Sequence, residues 1–85
     1  MALIECKIRN GLRPSEASVE VRDAEGRPEF LPVERDFLHL EDGQYYLPVS
    51  VFQVDQARKR AIVTLPVEAD SGSHRIWVNL SQMKN

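Results

Sequence analysis

The segments Tyr45–Val54 and Ala61–Val67 constrain this chain more than any other feature of its sequence. β-Branched and aromatic residues crowd both, and the intervening Asp55-Gln56-Ala57-Arg58-Lys59-Arg60 is polar turn material. Such residues fit a pleated, half-buried surface, so the pair predicts one long β-hairpin. Its first arm is apolar in both phases. Tyr45, Leu47, Val49 and Val51 fall on one face, and Tyr46, Pro48, Ser50, Phe52 and Val54 on the other. Either this strand is covered on both sides, or a bulge near Ser50–Phe52 switches the face that turns inward. Its length suits a bent strand shared between two halves of a barrel.

The other segments supply partners for that hairpin. Leu3–Arg9 alternates, with Ile4, Cys6 and Ile8 inward and Glu5, Lys7 and Arg9 outward. Asn10–Glu16 is loop, with room for one helical turn after Pro14. Val19 and Val21 point inward and Glu20 and Arg22 outward; Asp23–Gly26 then turns the chain, with Gly26 suited to a left-handed backbone. Arg27–Val33 returns as the partner strand. Pro28 and Pro32 have no N–H to donate, so this strand belongs at a sheet edge or contains a bulge.

Glu34–Glu41 carries two signals. Val33, Phe37 and Leu40 have helical spacing, whereas Asp42-Gly43 between Phe37–Leu40 and Tyr45–Leu47 marks a hairpin; the strand is favoured. Ala61, Val63, Leu65 and Val67 form an inward row, with Thr64 and Pro66 outward. Glu68–Ser73 is turn material. His74–Leu80 is the last strand, with Ile76, Val78 and Leu80 inward and Arg75, Trp77 and Asn79 outward; Ser81–Asn85 is expected to fray. Leu-Pro-Val occurs at 31–33, 47–49 and 65–67, each copy expected within a strand whose proline limits extra pairing. The expected fold is all-β: a small single-domain barrel or strongly bent antiparallel sheet of SH3- or OB-like size. It has six to seven short strands and at most one short helical turn, with residues 1–85 as one domain.

Charge and cysteine usage narrow the setting. The formal net charge is −2, with −4 on residues 1–54 (six basic, ten acidic) and +2 on residues 55–85 (five basic, three acidic). That balance disfavours nucleic acid as a partner. Cys6 is the one cysteine and forms no internal disulfide, which favours a reducing compartment. No apolar run reaches the length of a membrane span, and Met1-Ala2 opens without a charged-then-apolar leader. A cytoplasmic location and no membrane partner are expected.

Catalytic and metal motifs are weak. Asp70-Ser71-Gly72-Ser73-His74 holds the residue types of a serine hydrolase triad, but neighbours in a turn diverge, and no nucleophile elbow surrounds Ser71 or Ser73. Cys6, His39 and His74 lack zinc spacing, and Asp36, Glu41 and Asp42 do not fit a calcium loop. Cys6 reads as core packing and His39 as a residue on a wet strand face. No enzyme activity, metal or cofactor is expected.

Two surface features remain. Trp77 is out of phase with its inward neighbours, and Phe52 and Tyr46 can join it as exposed aromatics that mark a binding groove. The competing role for Trp77 is a plug at a barrel end or beneath the 10–18 loop. Arg58, Lys59 and Arg60, with Arg75 nearby, form a basic turn able to meet phosphates or simply be solvated. The expected function is a non-catalytic binding or assembly module for an unknown protein partner or for itself, as a homodimer. The alternative is a nucleic-acid-binding barrel that uses Arg58-Lys59-Arg60 and the outward aromatics.

Overall fold

The computed structural model describes residues 1–84. Eight antiparallel strands form one curled sheet: β1 (Ala2–Asn10), β2 (Glu16–Arg22), β3 (Pro28–Glu34), β4 (His39–Glu41), β5 (Gln44–Asp55), β6 (Arg60–Thr64), β7 (Arg75–Asn79) and β8 (Met83–Lys84). The spatial order is β3-β2-β1-β5-β6-β7, with β4 on β5 and β8 on β1. The all-β reading therefore holds, as a strongly bent sheet curled into a half-barrel. The helical content is two single 3-10 turns, Arg35–Phe37 and Leu80–Gln82. No helix among the described residues is long and apolar enough to cross a membrane.

Alternation places the core. Ile4, Val19, Leu31, Leu47, Val63 and Val78 are completely buried, and Cys6, Ala17, Val21, Val49 and Ile76 pack with them. The described core is aliphatic: Tyr45 and Tyr46 are half-buried, and Phe37, Phe52 and Trp77 are exposed. Burial pushes the Cys6 thiol up to about 12, so it stays protonated at neutral pH.

The two ends of the curled sheet meet through turns instead of a ladder. The Ala24 N–H donates to the Trp77 carbonyl (2.7 Å), and the Asp70 N–H donates to the Phe30 carbonyl (2.8 Å). Gln82 Nε2 donates to the Arg22 carbonyl (2.8 Å), and Arg60 pairs with Glu25 (3.1 Å). The β2–β3 turn is thus pinned against β6 and β7.

Proline sits where a donor is not needed. β3, with Pro28 and Pro32, ends the sheet order, as its missing N–H groups require. Pro48 faces Leu3 on one side; on the other, β4 reaches back to Tyr46 and β6 begins at Ser50, so Pro48 spans the gap between them. The Asp42-Gly43 turn has φ of 51° and 80°, the left-handed pair that a tight hairpin takes.

Several expectations need correction. There are eight strands: β4 is the short strand favoured within residues 34–41, and β8, two residues long, joins the seven expected. Residues 34–41 hold both candidates in turn, a 3-10 turn and then β4, since three residues satisfy each signal. The third Leu-Pro-Val lies outside any strand: β6 stops at Thr64, Leu65 is buried in the following loop, and Val67 is exposed. Pro66 breaks the ladder there, having no N–H to extend it. Residues 12–15 form a turn and no helix. Ser81–Lys84 is not frayed. Asn79 and Gln82 cap the 3-10 turn reciprocally, Met83 and Lys84 pair with Ile4 and Leu3, and Lys84 is hydrogen-bonded to Glu41. The frayed end expected at Asn85 lies outside the described residues.

Candidate functional site: the overhanging half of β5

β5 has two halves with different surroundings. β1 runs beside Tyr45–Val49 and stops where Ala2 faces Val49. Beyond that point Ser50–Asp55 has one ladder neighbour among the described residues, β6. Leu47, Pro48 and Val49 are buried, whereas Val51 is 43% exposed, Phe52 53% and Val54 45%. Of the two alternatives for this doubly apolar strand, the bulge is present, between Val51 and Gln53.

Cross-strand pairing assigns faces, because opposed residues share a side of the sheet. Val51 opposes Val63, and Val54 opposes Ala61; both partners are buried, so both valines lie on the core side. Gln53 opposes Ile62, which opposes Trp77, and Ser50 opposes Thr64, which opposes Arg75; these rows lie on the outer side. The Arg75 guanidinium stands 3.8 Å over the Phe52 ring and donates to the Thr64 hydroxyl (3.3 Å), placing Phe52 on the outer side as well. The contact is a cation–π interaction that shields one ring face.

The structure brings together Phe52, Arg75 and Trp77, which the sequence separates into two strands. Trp77 is 39% exposed and borders a cleft with the Asp23–Arg27 turn. It is neither central nor beneath the 10–18 loop. Tyr46 does not join this group. It lies six residues before Phe52 on β5, opposed by Glu5 and His39, with the Lys84 ammonium 5.3 Å from its ring. Glu41 and this neighbourhood hold Lys84 above the usual lysine range, first through the Glu41 hydrogen bond.

The basic turn is partly neutralised. Arg58 lies 3.9 Å from Asp55, and Arg60 pairs with Glu25 across to the β2–β3 turn. Lys59 takes a left-handed backbone, φ 57°, that closes the turn. That far turn is itself fastened by Asp23. Desolvation pushes the Asp23 carboxyl up, but the Arg27 and Glu25 N–H groups and the Arg27 guanidinium outweigh it and hold the carboxyl below its ordinary value.

The Ser71 hydroxyl donates to Glu29 (2.6 Å) and not to His74. Among the described residues no three His, Cys, Asp or Glu side chains gather as a metal site. Ionic partners account for the other half-hidden carboxylate: Glu20 was expected outward and is buried among arginines, 3.1 Å from Arg22 and 4.0 Å from Arg9. The sequence reading did not single out Val51, Val54 and Ile62 as site residues. The available signal for the two valines was the doubly apolar phase of β5 combined with its excess length.

Comparison of the chain with protein-family models, with curated proteins and with solved structures yields no match in any of the three.

Proposed function

We propose that this chain is a non-catalytic binding and assembly module whose working element is the open edge of β5 at Ser50–Asp55. The reading rests on one observation: an uncharged, proline-free run, Ser50-Val51-Phe52-Gln53-Val54, projects past the end of β1 with apolar side chains in water. Unpaired strand edges of this type accept another strand, with backbone hydrogen bonds for affinity and alternate side chains for specificity. The neighbouring Phe52–Arg75–Trp77 surface adds aromatic area of the type found at the energetic centre of protein interfaces.

The nucleic-acid reading has less support. Arg58 and Arg60 already have carboxylate partners, and Arg75 is engaged by Phe52 and Thr64. It calls for oligonucleotide affinity that falls steeply with salt. An amide-resolved NMR titration with cell extract, then with oligonucleotides, tests both readings. We expect shifts at residues 50–55 and at the Trp77 indole with extract, and none with oligonucleotides at low salt. Shifts confined to other strands, or an oligonucleotide response at the Arg58–Arg60 turn, would overturn the proposal.

A further inference from the structure

We infer that the strand taken up by the open edge of β5 is the same segment of a second copy, antiparallel, with Val51 of one copy opposite Val54 of the other. This rests on the edge reading above and goes beyond it by naming the occupant and its register.

Along Ser50–Asp55 the side chains lie outer, core, outer, outer, core, outer. Ser50, Gln53 and Asp55 oppose Thr64, Ile62 and Arg60, Phe52 lies beneath Arg75, and Val51 and Val54 oppose buried residues. This pattern is a palindrome about the midpoint between Phe52 and Gln53. A regular strand alternates strictly, and pairing it antiparallel with itself places some residue opposite its own copy. The bulge breaks that rule. Among registers with four or more opposed positions, the one that sets Ser50 opposite Asp55, Val51 opposite Val54 and Phe52 opposite Gln53 is alone in keeping every opposed pair on one side of the joint sheet. A shift of one residue in either direction sets a core-side valine against an outer-side residue. β1 bounds the segment at Val49 and the polar turn bounds it after Asp55, so the whole open length is used.

Charge agrees with this register. Asp55 is the one charged side chain in the segment, and it falls opposite the neutral Ser50. The two Asp55 carboxylates stand at opposite ends of the ladder, each beside its own Arg58. Two other edges are partly blocked. β3 carries Pro28, Pro32 and Glu29, and the β7 carbonyl of Trp77 is taken by Ala24. The area is small. A six-residue ladder with four apolar valines falls below the roughly 1,200–2,000 Å² of a stable interface, so the dimer is weak and concentration-dependent.

Sedimentation of the unmodified chain across a concentration series tests occupancy, and cysteine pairing tests register. The average mass is expected to rise toward the dimer between about 0.1 and 1 mM, as for a small interface. Val54→Lys, on the exposed edge, should stay monomeric with an unchanged far-UV spectrum. Under mild oxidation, a mixture of Val51→Cys and Val54→Cys chains should cross-link at least several-fold more than either variant alone, since each cysteine faces the other position. The buried Cys6 makes the unmodified chain the blank. Equal cross-linking in all three samples would overturn the register. A monomeric mass to 1 mM would overturn the inference whatever the variants do. If extract still shifts residues 50–55 of that monomer, the edge reading stands and the second copy does not.

Discussion

The core-side residues of the two halves of β5 are alike in chemistry and opposite in surroundings. Each half turns two aliphatic side chains toward the core, yet Leu47 and Val49 are buried while Val51 and Val54 are half in water. The first half has β1 along one side and β4 along the other; the second has β6 alone. Side-chain hydrophobicity therefore does not decide burial here. Neighbouring strands do: β1 pairs with β5 as far as Val49, and Ser50–Asp55 pairs with β6.

Substitutions can break or sharpen this contrast. The largest effect belongs to the covered half. Leu47→Ala leaves a void among Ile4, Val63 and their neighbours, and its cost should be about 2–5 kcal/mol, read as a lower denaturant midpoint. In a domain this small such a loss approaches the whole stability. Val54→Ala in the open half should stay within about 0.5 kcal/mol in the same titration. Equal losses at both positions would show that the overhang is packed after all.

Next comes the turn that closes the half-barrel. Asp23→Asn weakens two N–H hydrogen bonds and the Arg27 ion pair, at a cost of about 0.5–1.5 kcal/mol. The native carboxyl is held below its ordinary value, so its contribution is present above the unfolded carboxylate range and is lost as pH falls through the folded value. The variant should therefore show a flatter acid limb in a stability–pH profile. Cys6 acts at the other end of the scale. Its unfolded thiol ionises near 9 while the folded one holds its proton to about 12, so stability falls as pH rises between those values. Near neutral pH a thiol reagent should label Cys6 at the rate of chain opening, slowing as denaturant is withdrawn.

A smaller effect than that of Leu47 or Asp23 is expected on the outer face. Arg75→Ala removes the cation over Phe52 and should cost about 0.5–1 kcal/mol. Trp77 is the one tryptophan, and its emission should be red-shifted and open to soluble quenchers in the native state. Emission from a buried indole would remove the exposed surface on which the site depends.

Much of the fold was legible because strand faces follow a period of two. Ile4, Cys6, Val63, Ile76 and Val78 were placed inward, and Trp77 and Arg75 outward, from alternation alone, and the structure has them so. Pro28 and Pro32 marked an edge because a missing donor is a local fact. Local signals failed where long-range contact was decisive. Ser81–Lys84 has no strand pattern of its own, and its order comes from Gln82 reaching Arg22 and from pairing with β1. Val67 had the right phase but no ladder to continue.

For the candidate site, the division is similar. Local chemistry was enough to determine a doubly apolar strand, with a bulge near Ser50–Phe52 as one of two alternatives, an outward Trp77 and a basic turn. Tertiary structure alone decided that β1 lies beside Tyr45–Val49, that Arg75 covers Phe52 and that Tyr46 stands apart. Phase is a property of consecutive residues, whereas exposure depends on which strands distant in sequence lie alongside.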